Sequence, residues 1–225
     1  MTNLRKGFTI LLSLPRTVWF NLRYLPLKQA LRMPVWLAPN VRVKKMYRGG
    51  IVIDSAGFNS SHIGFHNADA VDCYGSHTVI CVEKGGVWHV SNDMHIGRGA
   101  IIHVKKSGRL RVGANFAISG TTSIICSNSI EIGNDVQFSW NSLVMDSDAH
   151  RIYGEDGKLV NPSAPISIGD KVWIAANTSI LKKAGIGDNC VVAGNSLVNR
   201  RIEGSNQIIA GIPAKPIKKI SSWEL

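Results

Sequence analysis

The sequence predicts an all-β protein, a parallel β-helix of six-residue repeats with a helical cap at its N-terminus. Three observations carry this. First, an aliphatic residue returns every six positions at Ile168, Ile174, Ile180, Ile186, Val192 and Val198. A helix would spread these side chains around its circumference, and a half-buried strand would alternate every second residue. Second, an aliphatic-Gly pair recurs at Ile63-Gly64, Ile96-Gly97, Val112-Gly113, Ile132-Gly133, Ile168-Gly169 and Ile186-Gly187. Glycine takes the positive φ that a sharp corner needs. Third, three sides of six residues close a triangular coil of 18. Ile168 then lies under Ile186, Ile174 under Val192 and Ile180 under Val198. A β-sandwich would show irregular spacing instead.

Composition narrows the partners. The 225 residues carry a formal charge of +11, which points to an anionic ligand, a nucleic acid or an anionic surface. Nucleic acid is set aside, because the Lys and Arg residues are scattered and no recognition motif accompanies them. Cys73, Cys81, Cys126 and Cys190 show no CxxC spacing and read as buried thiols in a reducing, cytoplasmic compartment. His62, His66, His77, His89 and His95 fall in the least regular coils, so no metal is expected.

In chain order, residues 1–40 form the N-terminal segment, 41–200 the β-helix with a loop at 146–165, and 201–225 a C-terminal cap with a basic tail. The longest uncharged run of the first segment, Gly7 to Pro15, is nine residues, against ~20 for a membrane span. Ser13 reads as a cap and Pro15 as the first turn of a helix that presents Val18, Trp19, Leu22 and Leu25 on one face. Capping the open end of the prism is the first expectation for this helix. Peripheral docking on the inner face of a membrane, through Trp19, Phe20 and Tyr24 with Arg5, Lys6, Arg16 and Arg23 as a basic rim, is the second. From Val41 the pattern turns to β at Val41-Arg42-Val43, Ile51-Val52-Ile53 and Val79 to Val82. The hexads stop at Asp146 and resume at Ile168, and a polar interruption of that length in a solenoid reads as a functional loop. Near the C-terminus, Pro213 and Pro216 on either side of Lys215 are expected to break the strand pattern.

Residues 90–220 resemble the hexapeptide-repeat acyltransferases. The resemblance rests on Val172-Trp173-Ile174, Ile180-Leu181-Lys182, Asn195-Ser196-Leu197-Val198 and the run Ala210 to Lys215. Through Met145 to Tyr153 the chain is most similar to the bacterial sugar O-acetyltransferases of capsule and O-antigen loci. The resemblance implies a left-handed helix, acetyl-CoA as acyl donor, a sugar or glycan acceptor and a homotrimer with each site between two prisms. It also implies that coenzyme A lies on the outer wall at Trp173, Ala175, Ala176, Gly194, Asn199 and Arg200, with Lys215 and Lys218 near its phosphates. The chain departs from the family pattern at Ala175, at Ala193-Gly194-Asn195-Ser196, at Asn199-Arg200-Arg201 and at Lys183, which occupies a corner that prefers glycine.

Moving an acetyl group from a thioester to a hydroxyl needs a base, oxyanion stabilisation and alignment of the substrates. His150 is the candidate base, and Asp146 or Asp148 the carboxylate that holds its ring. Asp-x-Asp-x-His on its own equally fits a solvated loop; the resemblance is what favours catalysis. No Gly-x-Ser-x-Gly lies near His150, so direct attack by the acceptor is expected, without a covalent intermediate. Two other readings stay open: an N-acyltransferase acting on an amino sugar, and a non-catalytic trimeric scaffold.

Overall fold

The computed structural model describes residues 3–54, 61–65 and 76–224, with side chains from residue 9 onward. His66 and Cys73 lie outside the described residues, as do the side chains of Arg5 and Lys6. The chain winds as a left-handed parallel β-helix. Each coil gives one short strand to each of three sheets, which we call A, B and C in the order the chain visits them. The sheets contain nine, seven and six described strands.

The register follows from the hexads. Ile168 pairs with Ile186 in sheet C, Ile174 with Val192 in sheet A and Ile180 with Val198 in sheet B. All six side chains are buried along the axis. In the coils below them, Phe116 and Phe138 meet edge to face at 5.9 Å between centroids. The corners need left-handed backbone, and asparagine supplies much of it. Thr121, Asn141, Asn177 and Asn195 stack at the corner between sheets A and B with φ of 51° to 59°. Lys183 holds φ 71° at the corner between sheets B and C, the conformation expected of a glycine there.

One interruption matters for function. Val144 pairs directly with Ile180, 36 residues on, whereas the next step up sheet B, from Ile180 to Val198, takes 18. The surplus is one coil's worth of chain, and it leaves the prism at the corner between sheets B and C as residues 146–165. Its tip is a small hairpin, with Val160 N–H donating to Ile152 C=O and Gly154 N–H to Lys158 C=O.

The N-terminal helix α1 spans Asn3–Tyr24 and is followed by a single turn, α2, at Leu27–Ala30. It caps the prism as expected, but by another face. Its buried side chains include Ser13, Thr17, Phe20 and Asn21, while Val18, Trp19 and Leu22 point outward. The reason is chemical: α1 covers the open edge of the first strand of sheet A, Val35–Leu37, whose backbone groups need hydrogen bonds more than apolar cover. Asn21 accepts from Val35 N–H and donates to Val35 C=O at 2.7 Å, and Thr17 accepts from Leu37 N–H. Ser13 is no N-cap; the helix begins earlier, Pro15 lies inside it, and the Ser13 hydroxyl donates to Ile10 C=O.

At the far end, Ala214–Lys219 pairs antiparallel with Gln207–Gly211 and closes sheet A. Pro216 therefore sits within a strand, against the sequence expectation. That strand is an edge, where a missing N–H costs no ladder bond, and the register shifts beside it between Ile208 and Ile209.

Candidate active site

The loop 146–165 is pinned by three side chains. Asn161 donates to His150 C=O and to the Asp148 carboxylate, both at 2.9 Å, and accepts from Ile152 N–H at 2.7 Å. Lys182, from the next coil, reaches Asp148 at 2.6 Å. The Lys182 ammonium and the Asn161 amide hold the Asp148 carboxyl below its usual range. His150 is thereby presented on an exposed, hydrogen-bonded shelf, its N–H donating to Asp148 C=O at 2.7 Å.

The two aspartates have different occupations. Asp146 is fully buried, and its carboxylate accepts from Ser127 N–H and Asn128 N–H, each at 2.7 Å. It ties the departing loop to the coil beneath. Among the described residues, neither carboxylate meets the His150 ring, and Asp148 is the one whose backbone touches His150.

Register distributes the remaining residues over the outer wall. Trp173, Val191, Ile208 and Lys218 form one row across four adjacent strands of sheet A, three spacings or about 14 Å long. Lys215 projects from the same edge strand opposite Ala210. Ala175, Ala176 and Gly194 follow at the corner with sheet B, where a Cβ on Gly194 would stand 3.2 Å from Ala176 C=O. Asn199 and Arg200 lie at the other edge of sheet B, above Lys182, Lys183 and the root of the loop. The structure thus brings Trp173, Lys215, Lys218 and the small residues to one side, and places Asn199, Arg200 and the root of the loop that carries Asp148 and His150 at the opposite edge of sheet B.

Sequence reasoning missed three participants. Trp223 packs against Trp173 at a tilt of 39°, with ring centroids 6.2 Å apart, and its indole N–H donates to Lys171 C=O, so the C-terminal tail covers part of the Trp173 row. A cleft of about 450 Å³ adjoins this pair, lined by Asn115, Asp135, Gln137, Lys171, Trp223 and Glu224. Ser139 accepts from the Trp173 indole at 3.1 Å. Lys182 was legible only as a turn residue, since its partner Asp148 is 34 positions away.

Of the described thiols, Cys126 is pushed up to about 12, by burial first and by the neighbouring Asp146 second. Burial also raises Cys81 and Cys190. No group of three His, Cys, Asp or Glu suited to a metal is found among the described residues.

The chain is a three-sided parallel β-helix of hexads interrupted by one pinned loop. The family model described as bacterial transferase hexapeptide (six repeats) matches residues 165–200. The galactoside O-acetyltransferase of Escherichia coli K12 is 28% identical over 123 residues, covering 53% of this chain and 59% of that protein. The WbbJ protein of the same strain, named for O-acetyl transfer in lipopolysaccharide biosynthesis, is 30% identical over 124 residues, 49% of this chain and 62% of its own. This chain therefore spans about six tenths of the length of either relative. Among solved structures, AntD, an N-acyltransferase from Bacillus cereus in complex with dTDP and 3-hydroxybutyryl-CoA, superposes with a TM-score of 0.50 at 14% identity. It covers 84% of this chain and 81% of its own, a likeness of fold alone.

Proposed function

We propose that this protein transfers an acetyl group from acetyl-CoA to a sugar hydroxyl of a bacterial surface glycan or its precursor. The observation that carries the reading is the pinned shelf at residues 146–165, which interrupts an otherwise regular prism to hold one histidine at the surface. Relatives named for O-acetylation of a galactoside and in lipopolysaccharide biosynthesis support the acceptor class. In this reading the His150 imidazole accepts the hydroxyl proton as the oxygen attacks the thioester carbonyl, and thiolate leaves as coenzyme A. Attack is direct. The raised thiols of Cys81, Cys126 and Cys190 suit a route without an acyl-cysteine, because the thiolate and not the thiol is the nucleophile.

The site is shared between copies of the chain in a homotrimer. Within one prism, His150 and Trp173 lie on opposite sides of sheet B, so one chain leaves each half open to water. Sheet B supplies the contact: its outer row runs Val79, Ile101, Ser123, Leu143, Ser179 and Leu197, four apolar side chains interleaved with two small serines. The hairpin adds exposed Ile152, Tyr153, Leu159 and Val160. Trp173, Lys215, Lys218, Ala175, Ala176 and Gly194 receive coenzyme A in this scheme, with Asn199 and Arg200 on the histidine side.

The test is turnover of acetyl-CoA against a panel of sugar acceptors. His150→Ala should lower kcat by ~10²-fold or more while coenzyme A affinity is kept. Full activity in that variant removes His150 from the mechanism. Amide products from amino sugars, with no ester products, would favour N-acylation.

A further inference from the structure

The ten Lys and Arg residues of positions 1–53 face no acidic residue in that stretch; the first acid of the chain is Asp54. The remaining 16 basic residues nearly balance all 15 acids, so the N-terminal quarter carries ten of the eleven net charges. The same segment holds nine of the 17 large apolar side chains exposed among the described residues. Leu11, Leu12, Val18, Trp19 and Leu22 lie on the side of α1 away from the prism, and Leu27 and Leu31 continue the ridge, Leu31 at 71% exposure. Arg23, Lys28 and Arg32 are exposed beside it. An ordinary surface helix turns its apolar stripe inward. In α1 the inward face is held by Thr17 and Asn21 hydrogen bonds, and the apolar stripe is left outside.

We propose that the outer face of α1 and α2 docks on an anionic lipid surface, with Leu11, Leu12, Val18, Trp19, Leu22, Leu27 and Leu31 entering the headgroup boundary and Arg23, Lys28 and Arg32 meeting the headgroups. Capping and docking are not alternatives, because they use opposite faces of one helix. A second copy of the same face is disfavoured, since joining two would bring Arg23, Lys28 and Arg32 of both copies together on a segment that holds no acidic residue. The rest of the chain, nearly neutral in sum, offers no comparable complement. Apolar side chains, basic flanks and a net positive segment are the combination that binds anionic bilayers in the plane of the interface. No helix among the described residues is long and apolar enough to cross a membrane. The proposal is independent of the acetyl-transfer reading.

The test is co-sedimentation of the full chain with phosphatidylcholine vesicles, with and without phosphatidylglycerol. The protein should bind the anionic vesicles at least roughly tenfold more strongly than the neutral ones and be released by high salt. The variants Trp19→Ser/Leu22→Ser and Arg23→Glu/Lys28→Glu/Arg32→Glu should each lose roughly tenfold or more in binding, with melting temperature unchanged, since these side chains are exposed. Failure of the wild type to bind, or equal binding to both vesicle types, overturns the proposal whatever the variants do. So does a Trp19→Ser/Leu22→Ser variant that breaks up a larger assembly in the absence of lipid, which would assign the ridge to a second copy.

Discussion

Asp146 and Asp148 are two residues apart in the chain and do different work, which separate measurements can read. Asp146 gives a buried carboxylate to two backbone N–H groups, so Asp146→Ala should cost roughly 2–3 kcal/mol in urea unfolding by leaving both donors unpaired. Asp148 is exposed and holds the loop through Lys182 and Asn161. Asp148→Ala should therefore leave stability nearly unchanged and lower kcat, with coenzyme A affinity kept, when turnover and binding are measured side by side. Because the folded-state pKa of Asp148 is depressed, the clasp is intact above the usual carboxylate range and fails only as pH falls through the lowered value. His95 carries an opposite charge logic. Burial, with His62 beside it, pushes its imidazole down to about 4. The folded state then binds fewer protons than the unfolded chain, so stability is full above pH ~6.5 and declines towards 4, by roughly 3 kcal/mol. His95→Gln should flatten that slope in denaturation curves recorded across the window.

At the scale of elements, the axis was legible from sequence and the cap's packing face was not. Ile168 to Val198 could be assigned partner by partner because each hexad sends one aliphatic side chain inward, and nothing else competes for that place. The helix α1 was placed on the correct end of the prism but rotated. Periodicity reports apolar stripes, whereas the edge at Val35–Leu37 selects for Thr17 and Asn21, which hydrogen-bond to it. Asn21→Ala should thus cost roughly 1–3 kcal/mol, more than Trp19→Ala, although tryptophan is the larger residue. Lys183 was flagged as a corner that prefers glycine, and its φ of 71° agrees. Lys183→Gly should raise the unfolding free energy by about 0.5–1 kcal/mol, the left-handed strain removed less the added freedom of the unfolded chain. For the loop, the sequence showed where the hexads stop and which histidine lies there. It did not show the Lys182 clasp or the Trp223 lid over Trp173, because both join residues more than thirty positions apart.

For the whole molecule, a single prism holds its candidate base and its candidate coenzyme wall at opposite edges of sheet B, and the outer row of that sheet, with Val79, Ile101, Leu143 and Leu197 between small serines, offers a face for a neighbour. The central claim is that neighbouring copies complete the site. The most direct measurement mixes two inactive chains, His150→Ala and Ala176→Trp, under conditions of proven subunit exchange, and assays acetyl transfer. If the histidine shelf of one chain serves the coenzyme wall of the next, mixed trimers regain activity that neither parent has, near one intact site among the three in each mixed assembly. No recovery from two folded, exchanging parents would mean that each site is built within one chain, and would contradict the account.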